Sequence, residues 1–119
     1  MAEAGRPNPN FMNGVPELLI LRLLLEREMY GYQLVRAIRG ATGEAIALGE
    51  GVIYPALHAL EADGALASRR ETVAGRTRVY YRVTAEGRRR LGQITKDYSR
   101  ITGAIRDVLR GPPSEKPAF

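Results

Sequence analysis

Apolar residues recur with helical spacing in three consecutive segments of the first half of the chain. The segment that begins at Pro16 and runs to about Arg27 is apolar on nearly all sides, which predicts a central helix. The next two segments each carry one apolar stripe, and glycine follows each of them as a stop signal. The stripes are Gly31, Leu34, Val35 and Ile38 in the second segment and Ile53, Ala56, Leu57 and Leu60 in the third.

Pro55 lies within the third segment and restricts where that helix can begin. Proline lacks the N–H that an internal helical residue donates, so it is tolerated only in the first turn. A start at Gly51 or Val52 is therefore predicted. None of the outward positions carries a formal charge. These positions are Gly51, Pro55, His58 and Ala62, flanked by Val52 and Tyr54.

After Gly64 the hydrophobic period shortens to two residues. The segments ALASRRETV and RVYYRVT alternate like strands, and a turn at 74–76 joins them. In the second strand one face carries Val79, Tyr81 and Val83, and the other carries Arg78, Tyr80 and Arg82. Three helices followed by a basic hairpin are the outline of a winged helix-turn-helix. A structural ribbon with incidental charge is the alternative. AIAL at 45–48 predicts a further short strand.

The last periodic segment follows Thr84, a residue suited to cap the start of a helix. Its apolar residues step by three and four positions, which is the narrow seam of one helix packed on another. They are Leu91, Ile94, Tyr98, Ile101, Ile105 and Val108. We expect this seam to pair with the same helix of a second copy. Packing onto the first helix of the same chain is the alternative, and the two arrangements can coexist.

Charge and composition narrow the functional classes. The chain has 119 residues, a net charge of +5 and a pI near 10.0, and it fits one compact domain. Residues 66–90 hold eight arginines and only two acidic residues, which favours a polyanionic partner over a merely solvated surface. The chain has no cysteine and one histidine. We therefore expect no enzyme, no metal site and no cofactor.

Four regions follow from these patterns. We expect a flexible arm at residues 1–13, a DNA-binding domain at 14–84, a dimerisation helix at 85–110 and a disordered tail at 111–119. The polar N-terminus lacks the apolar core of a signal peptide, and the longest apolar run is too short to span a bilayer. A cytoplasmic protein is the expectation.

Three motifs carry a resemblance to a known family. YGYQL, IYPALHALE and YYRVTAEG occur in the order and spacing of the PadR family of bacterial transcriptional regulators, and the similarity covers roughly residues 14–91. The single helix after the hairpin is similar to the branch with one C-terminal dimerisation helix. The resemblance implies a mostly α-helical fold with a small β-hairpin. It also implies a homodimer that binds operator DNA, usually as a repressor, often relieved by an effector.

The resemblance places residues 51–55 at the start of the recognition helix, and Arg76 and Arg78 at the wing tip. Gly49 and Glu50 depart from the family, which often has serine and proline at these two positions. Most affinity is expected from arginines, and base discrimination partly from DNA shape. The predicted DNA-contacting set is Gln33, Arg36, Gly51, Val52, Tyr54, Pro55, His58, Arg69, Arg76, Arg78 and Arg82. A winged-helix adaptor that binds protein instead of DNA is the alternative.

Overall fold

The computed structural model describes residues 14–112, and within them the chain forms four helices and a three-stranded antiparallel sheet. The predicted fold class, a winged helix-turn-helix with a long C-terminal helix, is confirmed. The predicted arm at 1–13 and residues 113–119 of the predicted tail lie outside the described residues. The elements are α1 (Val15–Glu26), β1 (Met29–Tyr30), α2 (Gly31–Ala41), α3 (Glu50–Ala62), β2 (Leu66–Val73), β3 (Arg76–Val83) and α4 (Ala85–Arg110).

The helix α1 lies at the centre of the core, as its apolar pattern predicts. Ile20, Leu21 and Leu24 are buried, and α1 contacts α2, α3, α4 and the strand β3. Burial of such side chains contributes roughly 2 kcal/mol each to the free energy of folding. The core around α1 therefore supplies much of the stability of the domain.

The apolar stripes of α2 and α3 join the same core. Leu34 and Ile38 of α2 are fully buried, and so are Ile53 and Leu57 of α3. All four belong to one cluster of buried residues that also contains the buried side chains of α1. Both predicted stripes are therefore confirmed as the buried faces of their helices.

The predicted strand at 45–48 is wrong, because this segment is a loop between α2 and α3. The hydroxyl of Thr42 accepts a hydrogen bond from the Ile46 N–H at 3.1 Å and donates to the Ile38 carbonyl at 2.8 Å. Ile46 and Leu48 are partly buried against the core. Their alternation reflects two anchors of a loop, and no strand among residues 14–112 pairs with them.

The helix α3 begins one or two residues earlier than predicted. Gly49 is its N-cap, and the Gly49 carbonyl accepts hydrogen bonds from the N–H groups of Val52 and Ile53, each at 3.0 Å. Glu50 is therefore the first helical residue and Pro55 lies in the second turn. This placement is tolerated because both Pro55 and the residue one turn before it, Gly51, are exposed to solvent.

The sheet contains a strand that the hydrophobic pattern does not predict. β1 has only two residues, and it pairs with β3 so that Met29 lies opposite Tyr81 and Tyr30 opposite Tyr80. The strand order is β1-β3-β2. The hairpin turn is shorter than predicted, since only Ala74 and Gly75 form it, with φ of 53° and 79°. Two residues with positive φ are typical of a turn that matches the twist of the strands.

A tight corner joins the sheet to α4. The hydroxyl of Thr84 accepts a hydrogen bond from the Gly87 N–H at 3.0 Å and donates to the Gly64 carbonyl at 2.7 Å, which confirms Thr84 as the N-cap. A side chain at Gly87 would overlap the Ala65 carbonyl and lie 2.8 Å from Cγ1 of Val83. The start of α4 is thus fixed against both ends of the hairpin.

Candidate nucleic-acid interface

The exposed face of α3 is almost free of polar side chains. Gly51, Val52, Pro55, His58 and Ala62 are all exposed, as the sequence predicts. The acidic residues of α3 are Glu50 at its first position and Glu61, whose carboxylate accepts a hydrogen bond from Ser68 at 2.6 Å. The helix has no lysine or arginine. The exposed face of α3 is therefore formed mostly by glycine and apolar side chains, which allow another molecule to approach the helix closely. It carries no lysine or arginine that would attract a phosphate.

Tyr54 packs against the second helix. Its ring lies over Gly31, where a Cβ atom would be 2.7 Å from the Tyr54 hydroxyl oxygen. Burial raises the pKa of Tyr54, and the negative charge of Glu50 raises it further. The hydroxyl is therefore protonated at neutral pH. The hydroxyl of Tyr54 lies at the start of α2. The glycine of the YGYQL motif is therefore in contact with the tyrosine of the IYPALHALE motif.

The two predicted residues of α2 differ in their availability. The side-chain oxygen of Gln33 accepts a hydrogen bond from the Tyr30 N–H at 3.1 Å, so it caps the helix. Arg36 is exposed and its guanidinium lies 5.9 Å from the centre of the Tyr32 ring. Arg39 instead forms an ion pair with Glu44 at 2.9 Å. Arg36 is thus the residue of this helix best placed to contact a phosphate.

The wing, which is the hairpin of β2 and β3, carries arginines that have no acidic partner within the described part of the chain. Arg76 and Arg82 are exposed on the outer face of the sheet, and neither forms an ion pair there. Arg70 lies opposite Val79 on the other face and is also exposed and without an ion-pair partner among residues 14–112. The predicted set omits Arg70, although its position two residues after Ser68 places it on the face that meets α3.

One predicted wing arginine, Arg69, is held by carboxylates. Its guanidinium donates to Glu28 and to Glu71, both at 2.6 Å, and lies 4.7 Å from the centre of the Tyr80 ring. The pKa of Arg69 is raised, mainly by its hydrogen bond to Glu71 and next by its hydrogen bond to Glu28. Through the carboxylate of Glu28, Arg69 ties β2 to the residue that precedes β1. Its predicted phosphate contact stays a prediction.

Arg78 belongs to the same outer-face cluster. Its guanidinium lies 4.5 Å from the centre of the Tyr30 ring, and Tyr30 meets Tyr80 edge to face with ring centres 5.4 Å apart. Arg78 is half-buried by these contacts. Stacking of this kind orders the sheet and still leaves a full positive charge near its surface.

The arginines at the start of α4 also divide into paired and unpaired residues. Arg90 donates to Glu17 of α1 and to Asp63 at the end of α3, and the hydrogen bond with Glu17 is the main reason that its pKa is raised. Arg89 pairs with Glu86. Arg88 is exposed and has no ion-pair partner among residues 14–112.

The predicted seam of α4 changes character along its length. Leu91 is 7% exposed and packs in the core. Ile94 and Ile101 are half-buried beside the start of α1, and Tyr98, 39% exposed, lines the same groove. Ile105 is 48% exposed and Val108 is 79% exposed. The first half of the seam therefore contacts α1 of the same chain, whereas the second half presents apolar side chains to solvent.

Comparison with known proteins identifies the family. Residues 20–93 match the model of the transcriptional regulator PadR-like family. The transcriptional regulator Rv3488 of Mycobacterium tuberculosis is 35% identical over 101 residues, which cover 85% of this chain and 89% of that protein. The chain belongs to the PadR-like family of transcriptional regulators. The resemblance seen in the sequence is confirmed, and this PadR-like protein is a regulator of transcription, not an enzyme.

Solved structures agree with this assignment. A transcriptional regulator from Clostridium thermocellum is 29% identical, with a TM-score of 0.76 over 83% of this chain and 94% of that chain. A PadR family transcriptional regulator from Eggerthella lenta is 27% identical, with a TM-score of 0.73 over 86% and 87% of the two chains.

Two further observations concern residues 14–112 alone. No helix in this range has the length and apolar character needed to cross a membrane. Nor does the range contain a group of three or more histidine, aspartate or glutamate side chains arranged to hold a metal ion.

Proposed function

We propose that this PadR-like protein is a cytoplasmic repressor that binds a palindromic operator as a homodimer. The observation that carries the proposal is the pairing of a smooth, exposed α3 face with unpaired arginines on the adjacent wing. A helix whose exposed face has no long charged side chain after its first turn can enter a major groove closely. The wing arginines would then neutralise phosphates on its flank.

The contacts divide into two groups. Arg36, Arg70, Arg76 and Arg82 are exposed, and we assign them to phosphate contacts or to the minor groove. In the groove itself, we assign Val52 and Pro55 to contacts with thymine methyl groups, and the shape of the duplex would add to the discrimination. Gln33, Tyr54 and Arg78 support this surface through their contacts within the domain.

Dimerisation follows from the exposed half of α4. Ile105, Val108 and Leu109 present apolar surface that a single subunit leaves in water, and a second α4 would cover it. A twofold dimer repeats both DNA-contacting surfaces, so its operator would contain two inverted half-sites. The first half of the seam packs on α1, and the two roles of this helix coexist in the proposal.

Repression and its relief are the finer parts of the proposal. Within residues 14–112 the chain offers surfaces for DNA and for a second copy, so occupancy of a promoter is the simplest way for it to act. A groove of about 180 Å³ lies between α1 and α4, with Leu18, Ile94 and Ile101 among its apolar walls. An effector bound there would alter how two subunits pair and would release the operator.

Selection of bound fragments from a genomic DNA library tests the proposal. The full chain should enrich an inverted repeat, and binding to a duplex that carries it should weaken steeply between low and moderate salt. Sedimentation of the same complex should give two protein chains per site. Absence of any salt-sensitive complex would instead support the protein-binding adaptor.

A further inference from the structure

The exposed face of α3 contains few groups that can form hydrogen bonds with a base. Glu61 is engaged by Ser68, Tyr54 is packed on Gly31, and Glu50 carries the charge that phosphates repel. The remaining side chain with hydrogen-bonding atoms is that of His58, which is exposed. Its ring centre lies 6.5 Å from that of Tyr54 at a tilt of 42°, so the imidazole is not stacked into the domain.

Pro55 creates a second hydrogen-bonding group in the main chain. An ordinary residue at position 55 would donate its N–H to the carbonyl of Gly51, one turn earlier, but proline has no N–H to donate. The proline ring also crowds that carbonyl. Gly51 is exposed, and a Cβ atom there would meet nothing within 4 Å. The Gly51 carbonyl therefore lacks its usual donor within the helix, and it belongs to a residue that is exposed to solvent.

Gly51 and His58 lie on the same side of the helix, because seven positions correspond to nearly two full turns. The same separation is about 10 Å along the axis. With base pairs stacked about 3.4 Å apart, the two groups would face base pairs about three steps apart. A carbonyl can only accept, so it pairs with the exocyclic amino group of adenine or cytosine. A neutral imidazole offers one donor and one acceptor.

We propose that the His58 imidazole and the Gly51 main-chain carbonyl are the groups by which α3 distinguishes bases in each half-site. The inference rests on the proposed function and assigns it a direct readout in addition to the wing. Proline in the second turn then has a purpose in recognition: it removes one hydrogen bond of the helix and leaves its acceptor for the DNA.

Two variants test the two groups separately. His58→Ala removes the imidazole from an exposed position. Pro55→Ala supplies the missing N–H, so the Gly51 carbonyl is satisfied within the helix. Neither change removes a core contact, since both side chains are exposed, and circular dichroism should show an unchanged fold. Thr95→Ala, an exposed change on α4, is the matched control.

The readout is selection of sequences from a randomised duplex library by the wild-type chain and each variant. His58→Ala should lose preference at one base pair of each half-site, by about tenfold, and Pro55→Ala at another about three base pairs away. A thymine preference lost only about one base pair from the His58 position would report the proline ring instead and would overturn the role of the Gly51 carbonyl. The salt dependence should not change, because no phosphate contact is lost. The Thr95→Ala control should select the wild-type sequence.

The outcomes separate this inference from the proposed function. If both variants select the wild-type sequence at every position, the inference is overturned while the DNA-binding regulator stands. A uniform loss of affinity with unchanged base preference would also overturn it. A wild-type chain that forms no salt-sensitive complex would refute the proposed function itself and this readout with it.

Discussion

The exposed face of α3 and the outer surface of the wing differ in almost every chemical respect. The helix has no lysine or arginine and exposes glycine, valine and proline. The hairpin that follows it carries five arginines between Leu66 and Val83. In the proposed complex with DNA, the helix would contribute shape complementarity and the hairpin would contribute electrostatic attraction. Variants of each surface should separate the two contributions.

The largest effect is expected from Val108→Asp, because the proposed dimer presents both surfaces twice. Val108 is 79% exposed, so the change should leave the subunit folded while placing a charge in an apolar interface. Analytical ultracentrifugation should show monomers, and operator affinity should fall by roughly 100-fold as the linked second half-site is lost. Ser99→Asp introduces the same charge outside the seam and should leave the dimer intact. A dimeric Val108→Asp chain would reject the seam.

The next largest effect is expected when the wing loses its unpaired charge. The double change of Arg76 and Arg82 to alanine should lower DNA affinity by roughly 10- to 100-fold and reduce the salt dependence by about two released ions. The free energy of unfolding should hardly change, since both side chains are exposed. Arg69→Ala is the contrasting variant, because Glu28 and Glu71 engage that residue. A larger affinity loss with Arg69→Ala would invert the assignment.

A change beneath the helix should act on stability. Gly31→Ala places a methyl group against the ring of Tyr54, so α2 and α3 must separate slightly. We expect a loss of about 1–3 kcal/mol in the free energy of unfolding, measured in urea. Gly40→Ala is a suitable control in the same helix, because a methyl group there would meet nothing within 4 Å. Equal stability of the two variants would show that the contact is not tight.

The smallest effect is expected from Tyr54→Phe. The ring would keep its contact with Gly31 and lose only the hydroxyl at the start of α2. If that hydroxyl donates to a phosphate, operator affinity should fall by about threefold, in line with one modest hydrogen bond. Fluorescence anisotropy with labelled duplex resolves such a difference. Unchanged affinity would assign Tyr54 to packing alone.

Periodicity predicts the helices and the hairpin, and capping chemistry adds the start of α4. These elements are long enough for several residues to repeat the same spacing, and Thr84 marks the start of α4 by its capping chemistry. β1 escapes prediction because two residues cannot show a period, and its existence depends on pairing with β3. The strand predicted at 45–48 is the opposite error. Ile46 and Leu48 alternate along the chain as strand residues do, but they anchor a loop to the core.

The candidate interface is harder to derive from the sequence than the fold. Arg69, Arg76 and Arg78 have the same side chain and lie on one hairpin, yet only Arg76 has neither an acidic partner nor an aromatic ring beside it in the described part of the chain. The partners of Arg69 include Glu28, which is 41 positions away along the chain. Spacing within a segment cannot reveal such contacts. The exposed surface of α3, by contrast, follows directly from its helical period.

The corner at Thr84 and Gly87 joins the wing directly to α4. β3 has eight residues and is therefore about 26 Å long, and it continues into α4 with only Thr84 between them. Rotating the whole subunit by about 10° about this corner would carry the wing tip through about 4.5 Å, on the scale of one base-pair step. In the proposed dimer, a small change in how the two α4 helices pair would thus be enough to move the wing arginines out of register with the phosphates.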